Sequence, residues 1–413
     1  MTPPRLDPDA IASVLPTGGR VLVSGCSGES LVLASAVARA GGKLGAMTFT
    51  GIFVPGLNTV SWLANPACRV ETFFMTPELK ASGKATKFLP FCYGDILSWL
   101  RSIRIDAALM MLSRPDADGI CSFGPVVDFL AELWPDIPVR IAHINPRLPG
   151  IASPCGIPFD SLTAYVEAEQ ELLGSPDPPQ DAASQAIGEA VSRFVPDGAT
   201  IQTGLGKIPT AALHALKGRR NLKIHSGLIP EATVDLEDAG ALAPGISMTG
   251  GVAIGSRRLY ERVGRPEYRF HPVSYTHSPA VLAQIESLVT LNSAREVDLF
   301  GQAYAEVGPT GLVSGAGGAS DFARGARAAG GLRIVALASS ANRGAVSRIV
   351  APAEGAGPVS LGRMETDIIV TEHGAADLRG LDHDERALSL IGVASPAHRE
   401  RLVQRWAEVA AKF

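Results

Sequence analysis

Residues 199–209 read Ala199-Thr200-Ile201-Gln202-Thr203-Gly204-Leu205-Gly206-Lys207-Ile208-Pro209, a short β-rich run followed by a glycine turn and a proline. The pattern predicts a strand over 199–202 and a helix from Pro209 to Leu216, because proline suits the first turn of a helix. Backbone amides at such a helix start can hold a phosphate or a carboxylate. An ordinary tight turn between a strand and a helix gives the same pattern. The third glycine of the dinucleotide-binding fingerprint is absent, which leaves this alternative open.

The alternation of strand and helix extends outward in both directions and indicates parallel βαβ layering, the α/β class. Before this stretch, strands are predicted over 21–23, 107–112 and 139–144, and a helix over 31–40. A further helix is predicted over 183–194, just before the stretch, and after it strands are predicted over 222–224, 288–291, 297–300, 334–338 and 368–370, and helices over 385–393 and 397–410. Proline, glycine and acid cluster over 173–181, which predicts a boundary between two tandem α/β domains, 1–174 and 184–413.

Composition excludes several classes of protein. The 413 residues carry 37 Lys+Arg against 41 Asp+Glu, a net charge of -4, without a basic run of the nucleic-acid-binding kind. The uncharged segment from Leu44 to Cys68 is broken by Pro55-Gly56 and Asn65-Pro66, so buried strands and loops are expected there, not a membrane span. Five cysteines without C-x-x-C spacing, and an N-terminus without the pattern of a signal peptide, predict a cytoplasmic protein.

Two further glycine-rich loops are candidates for binding. Ser314-Gly315-Ala316-Gly317-Gly318 is costly to order, which favours a close approach of the backbone to a ligand over a mobile surface loop. Ser24-Gly25-Cys26-Ser27-Gly28-Glu29-Ser30 follows the first predicted strand and resembles an oxyanion nest of amides. Cys26 is either a thiol nucleophile or a buried structural cysteine.

No metal site is predicted. Asp382-His383-Asp384-Glu385 has the composition of a metal cluster, but we interpret its acids as helix N-terminal caps. His225, His277 and His373 are isolated in the sequence, and a lone histidine is more often structural than catalytic.

Taken in order, the motifs resemble the acetyl-CoA hydrolase/transferase family, the class I CoA-transferases that include 4-hydroxybutyrate CoA-transferase. The resemblance runs nearly from end to end, and the ordered set is specific where each motif alone is weak. The motifs lie at 28–30, 113–124, 145–149, 204–209, 291–302, 314–327, 347–350 and 370–380.

The resemblance implies two open α/β domains of the CoA-transferase (NagB/RpiA-like) type, an active-site cleft between them, and a homo-oligomer such as a homodimer. It implies coenzyme A, as an acyl-CoA substrate, and a small carboxylate as partners, with neither nucleic acid nor membrane. In the family a glutamate attacks the thioester and becomes a glutamyl-CoA thioester. Carried over, CoA would bind at Gly204, Gly206, Lys207, Ile208, Gly315, Gly317 and Gly318, and Gly25 and Gly28 would hold the oxyanion.

One position departs from the family. The glutamate lies in a segment of the type His-Ser-Glu-Met, whereas this chain reads His225-Ser226-Gly227-Leu228. Gly227 therefore stands at the nucleophile position, and the usual transfer route is expected to be lost or severely reduced. A second departure is Ser30, where the family has proline, and it predicts a less rigid first loop.

Three explanations stay open for Gly227. Glu231, one helical turn further on, could replace the nucleophile. Alternatively, the site performs other chemistry on an acyl-CoA, as a hydrolase, decarboxylase or lyase, with Glu29 or Cys26 as acid or base. Finally, the protein could bind acyl-CoA without catalysis, as a sensor or an inactive partner subunit.

Overall fold

The computed structural model describes residues 2–59, 62–63, 65–151 and 153–412. Its contacts divide the chain into two units. The first comprises Met1–Pro176, Met248–Thr276 and Val313–Gly317, and the second comprises Asp177–Ser247, His277–Leu312 and Gly318–Phe413. The domains 1–174 and 184–413 stay a prediction.

The first unit is built on a parallel sheet. Its strands are β1 (Arg20–Val23), β2 (Thr48–Gly51), β3 (Arg69–Thr72), β4 (Thr86–Phe88), β5 (Ala107–Leu112), β6 (Ile120–Cys121), β7 (Val139–Ile144), β8 (Ile157–Pro158), β9 (Ala164–Glu167), β12 (Met248–Ile254) and β13 (Tyr268–Phe270). The seven-stranded sheet has the order β4-β3-β2-β1-β5-β7-β9, with every neighbouring pair parallel. All six residues of β5 are buried, as expected of a parallel strand covered on both faces.

Helices of the first unit fill the crossovers between these strands. They are α1 (Leu31–Ala40), α2 (Pro77–Ala81), α3 (Tyr93–Ser102), α4 (Leu130–Leu133), α8 (Arg257–Tyr260) and α9 (Val273–Thr276). Ser30 caps α1, since its Oγ accepts a hydrogen bond from the Leu33 amide at 3.1 Å. The unit's core contains Leu33, Val37, Phe49 and Trp62.

The second unit repeats the design. Its strands are β10 (Thr200–Gln202), β11 (Lys223–Pro230), β14 (Leu288–Ser293), β15 (Glu296–Asp298), β16 (Ala303–Tyr304), β17 (Val307–Gly308), β18 (Gly311–Leu312), β19 (Leu332–Ala336), β20 (Ser340–Ala341), β21 (Val346–Ser347), β22 (Ile349–Val350), β23 (Ile368–Thr371) and β24 (Gly374–Asp377). Six of them run in the order β11-β10-β14-β19-β23-β24. Only the last of these five pairings is antiparallel, so β24 forms a reversed edge.

Helices of the second unit are α5 (Ala182–Ser192), α6 (Lys207–Ala215), α7 (Thr233–Asp238), α10 (Pro279–Leu282), α11 (Ala319–Ala328), α12 (His383–Val393) and α13 (Arg399–Ala410). α5 packs closely on α6, because a Cβ added at Gly188 would lie 2.5 Å from the Ala211 carbonyl oxygen. Asp382 caps α12 in a reciprocal capping box with Glu385, which confirms that these acids are helix caps.

The α/β class is confirmed, and two local predictions are corrected. The strand expected over 222–224 is longer and runs from Lys223 to Pro230. It includes Gly227 and ends at Pro230, two residue types that usually interrupt strands. The sequence also suggests an apolar face on the last two helices for a partner subunit. Most of that face is inside the core of the second unit, which takes up Leu390, Ile391, Leu402 and Trp406 and leaves Leu388 59% exposed.

The uncharged segment 44–68 contains the strand β2 followed by turns, and its residues 60, 61 and 64 lie outside the described ranges. Within those ranges, no helix combines the length and apolarity needed to cross a membrane.

Candidate active site

The carboxyl edge of the second unit's sheet gathers the predicted nucleophile position and the glycine turn. β10 pairs in parallel with β11 through Thr200–Lys223 and Ile201–Ile224. β10 ends at Gln202, so β11 runs on past it and carries Gly227 beyond the end of its neighbour. Open α/β sheets bind ligands beyond the carboxyl ends of their strands, so this edge is where a site is expected.

Ser226 fixes the glycine turn to β11. Its hydroxyl donates to the Thr203 carbonyl at 2.7 Å and accepts from the Thr203 amide at 3.3 Å. The turn that starts at Gly204 is therefore held beside Gly227. The buried Thr203 hydroxyl next to this turn has no hydrogen-bond partner.

The start of α6 suits an anionic ligand. Gly206 is its N-cap at a φ of 116°, a conformation that favours glycine, and no side chain caps the helix. Gly206 and Lys207 are exposed, and a Cβ added at Gly204 or Gly206 would meet nothing within 4 Å. Lys207 Nζ forms an ion pair with Asp181 at 3.0 Å, so the cation at this helix start has a carboxylate partner. Ile208 is half-buried in the first turn.

A side chain from another segment fills the space next to Gly227 that a side chain at position 227 would need. A Cβ added at Gly227 would lie 2.7 Å from Cε1 and 2.8 Å from Nε2 of His277. A Cβ added at Gly318 would lie 2.6 Å from the same Nε2. The ring centroid of His277 is 4.7 Å from that of Phe322, and the side chain is only 4% exposed. Gly227, His277, Gly318 and Phe322 form what we call the imidazole cluster.

His277 is uncharged in this setting. Burial lowers the pKa of the ring to about 3, and the neighbouring His225 adds to the effect. The contact between His277 and Gly227 could not be predicted from sequence, because the two positions are 50 residues apart and His277 lies in no recognised motif. Its only trace in the sequence is the pair of glycines that make room for it.

Glu231 does not stand one helical turn from Gly227, contrary to the geometry expected from the sequence. Residues 223–230 are extended, so positions 227 and 231 are separated by about 13 Å, at roughly 3.3 Å per residue. Burial raises the pKa of Asp177, and the Thr210 hydroxyl and His214 lower it. The charges of Glu231 and Asp235 raise this pKa, so Glu231 acts electrostatically on another carboxyl. Glu231 as a replacement nucleophile stays a prediction.

The loop over residues 24–30 in the first unit is buried throughout. A Cβ added at Gly25 would lie 2.0 Å from the Ile52 carbonyl oxygen, and one at Gly28 would lie 3.0 Å from Val126. The Cys26 amide donates to Ile52, and the Gly28 amide donates to Gly25. These glycines serve close packing, and one of the two expected oxyanion donors, the Gly28 amide, is already used within the fold. The oxyanion role of Gly25 and Gly28 stays a prediction without support from this arrangement.

Glu29 has both carboxylate oxygens occupied. Trp62 Nε1 donates to Oε1 at 2.9 Å and Asn58 Nδ2 donates to Oε2 at 3.0 Å. Burial raises the pKa of Glu29, whereas these two hydrogen bonds lower it. With 0% of its surface exposed, Glu29 has the setting of a residue that positions the loop, and its acid or base role stays a prediction.

Cys26 has the setting of a structural cysteine. The thiol is 2% exposed, and burial raises its pKa well above the usual range, with the charges of Asp128 and Glu29 adding to the effect. A thiolate is therefore disfavoured there. All five cysteines are free thiols.

Ser30 anchors the first loop instead of loosening it. Besides capping α1, its hydroxyl lies 2.9 Å from Nδ1 of His143, whose Nε2 lies 2.9 Å from the Ala168 carbonyl oxygen. The carbonyl accepts from Nε2–H, so Nδ1 accepts from Ser30. The serine that replaces the family's proline is thus held by a buried histidine that sequence reasoning missed.

The glycine loop over residues 314–318 has Gly315 and Gly317 in the first unit and Gly318 in the second. A Cβ added at Gly315 would lie 1.9 Å from the Phe73 carbonyl oxygen. Gly317 has a φ of 61° and pairs with Cys92 in a parallel β-bridge. Gly318 belongs to the imidazole cluster, so CoA binding by these three glycines stays a prediction.

Among the residues that the structure describes, no three His, Cys, Asp or Glu side chains gather as a metal site.

Comparison with known proteins identifies relatives along most of the chain. Residues 255–406 match the model of the acetyl-CoA hydrolase/transferase C-terminal domain. The 4-hydroxybutyrate coenzyme A transferase of Clostridium kluyveri is 35% identical over 337 residues, which cover 79% of this chain and 78% of that protein. The acetyl-CoA hydrolase of Kluyveromyces lactis is 26% identical over 256 residues, 57% of this chain and 48% of that protein.

A solved structure extends the likeness to the fold. RipA from Yersinia pestis superimposes with a TM-score of 0.92 at 27% identity, covering 98% of both chains.

Proposed function

The chain belongs to the acetyl-CoA hydrolase/CoA-transferase family, and from that premise we propose that it cleaves an acyl-CoA thioester with water as the acyl acceptor. Water adds to the thioester carbonyl, the carbon–sulfur bond breaks, and the products are a carboxylic acid and CoA with its thiol protonated. The acetyl-CoA hydrolase among the relatives supports water as an acceptor in this family.

Gly227 is the observation that carries the proposal. It lies on the carboxyl edge of the sheet next to the glycine turn, where the family resemblance predicts a glutamate. A glycine has no carboxylate to form an acyl anhydride or a glutamyl-CoA thioester, so covalent transfer through this position has no nucleophile. A small carboxylate is then a product of the reaction, not an acceptor.

The start of α6 is the part of the site that we assign to CoA. Its uncapped amides and the ion-paired Lys207 suit a phosphate or the polarised thioester carbonyl. The open space around Gly204 and Gly206 allows close approach of a ligand to the backbone. The proposed site is therefore built from the chain's own backbone donors and Lys207.

The protein as it exists tests the proposal. We would incubate it with acetyl-, propionyl-, butyryl- and succinyl-CoA, with and without a free carboxylate, and resolve every CoA species by chromatography and mass. We expect free CoA to accumulate with turnover at a rate independent of the added carboxylate. A product lighter by carbon dioxide, or binding without turnover, would contradict the proposal.

A cytoplasmic location and a homodimer are part of the same proposal. The five free thiols fit a reducing compartment. The homodimer rests on the family resemblance alone.

A further inference from the structure

The imidazole cluster brings one ring against two glycines from separate segments of the second unit. Gly227 lies in β11, Gly318 is the N-cap of α11, and His277 precedes α10. A Cβ added at either glycine would lie within 2.8 Å of the His277 ring, closer than Cβ atoms in real structures essentially ever come. The ring therefore takes the volume that a side chain at position 227 needs.

The ring is buried and packed among its neighbours, with the residue 4% exposed. One side is covered by Phe322, whose ring also lies 6.5 Å from that of His225. The backbone that follows His277 is fixed by α10, since a Cβ added at Gly325 of α11 would lie 2.4 Å from the Leu282 Cβ. Phe322 in turn belongs to a buried cluster with Leu282, Leu288 and Ala326.

We propose that His277 keeps position 227 closed to a carboxylate side chain, because its imidazole fills the space that such a side chain needs. This inference rests on the proposed function, since it explains why water serves as acceptor. While His277 is present, a glutamate at 227 has no room, so loss of the nucleophile is a property of the pair Gly227–His277. The low pKa of His277 fits this role, because an uncharged ring attracts no acceptor carboxylate.

The volume claim is tested by stability alone, away from the nucleophile position. Gly318→Ala should lower Tm in the unmodified protein, because the new methyl group meets the His277 ring. In a His277→Ala background the same substitution should have a much smaller effect. Equal effects in both backgrounds would overturn the proposal, and this result does not depend on catalytic activity.

The acceptor claim is tested by three variants. Gly227→Glu alone should have a lowered Tm and transfer no acyl group to acetate. Gly227→Glu combined with His277→Ala should regain stability and transfer acyl groups to acetate about a hundredfold faster than the single variant, the scale of a catalytic group moved by about 1 Å. It should also form a covalent CoA adduct visible in the intact protein mass. Gly227→Gln with His277→Ala is the matched control, equally stable and without transfer.

Either of two results would overturn the acceptor claim. One is acetate-dependent transfer by Gly227→Glu at the rate of the double variant. The other is a double variant that folds and binds acyl-CoA yet transfers nothing while the unmodified protein hydrolyses the thioester. Absence of any thioester turnover in the unmodified protein would instead contradict the proposed function and leave the stability test of His277 intact.

Discussion

At the scale of single residues, two glycines from the predicted CoA loops have opposite surroundings. A Cβ added at Gly315 would lie 1.9 Å from the Phe73 carbonyl oxygen, whereas one at Gly204 would meet nothing within 4 Å. Gly315→Ala should therefore cost about 1 to 3 kcal/mol of stability or more, because it pushes on backbone. Gly204→Ala should leave Tm nearly unchanged and raise the KM for acyl-CoA, if CoA approaches the backbone there. Thermal melts and initial rates of both variants check this, and an unchanged KM in Gly204→Ala would move the CoA site elsewhere.

Asp128 gives a prediction for the dependence of stability on pH. Burial raises the pKa of its carboxyl to about 7, against a hydrogen bond from the Phe129 amide that lowers it. The folded chain then keeps the proton up to about pH 7, whereas the unfolded chain loses it near pH 4. Stability contributed by this group therefore falls as pH rises between these values and is constant above them.

Asp128→Asn removes the titrating carboxyl and with it the fall in stability between about pH 4 and pH 7. The variant should melt at a higher temperature than the unmodified protein at pH 8 and at nearly the same temperature at pH 4. Melting curves across this range check the sign, and a gain that is larger at pH 4 would contradict it.

At the scale of secondary-structure elements, two glycines inside helices allow the effect of helix packing to be distinguished from the effect of helix propensity. Gly188 of α5 lies against the Ala211 carbonyl of α6, the helix whose start we assign to CoA. Gly392 of α12 is exposed and meets nothing within 4 Å. Gly188→Ala should destabilise the protein by separating α5 from α6, whereas Gly392→Ala should stabilise it by up to about 1 kcal/mol. Opposite changes in the urea midpoint are expected, and changes of the same sign would show that helix propensity dominates at both positions.

Most of the regular elements could be predicted from local pattern, because buried parallel strands are continuous apolar runs. The strands Ala107–Leu112 and Val139–Ile144 and the helix Leu31–Ala40 have the predicted bounds. β11 was predicted too short, since glycine and proline normally interrupt strands. The imidazole cluster was out of reach, because contact between His277 and Gly227 depends on tertiary packing and leaves no periodic signal. The same holds for His143 beside Ser30.

At the scale of the whole molecule, the likeness to the family extends over most of the chain, whereas the proposed change of reaction concerns few residues. The fold of RipA is retained over 98% of the chain, and the family model matches a region that contains His277 and Gly318. The proposed change of acceptor involves one pair of positions inside that conserved architecture. A scaffold can therefore keep its CoA-binding edge while the group that attacks the thioester changes.

The most direct measurement is a competition between water and a labelled carboxylate. The unmodified protein would be mixed with propionyl-CoA and acetate carrying carbon-13, and free CoA and labelled acetyl-CoA would be quantified over time. We expect free CoA as the product and no labelled acetyl-CoA at any acetate concentration. Labelled acetyl-CoA that forms in proportion to acetate would contradict water as the acceptor and would show that a carboxylate nucleophile operates at this site.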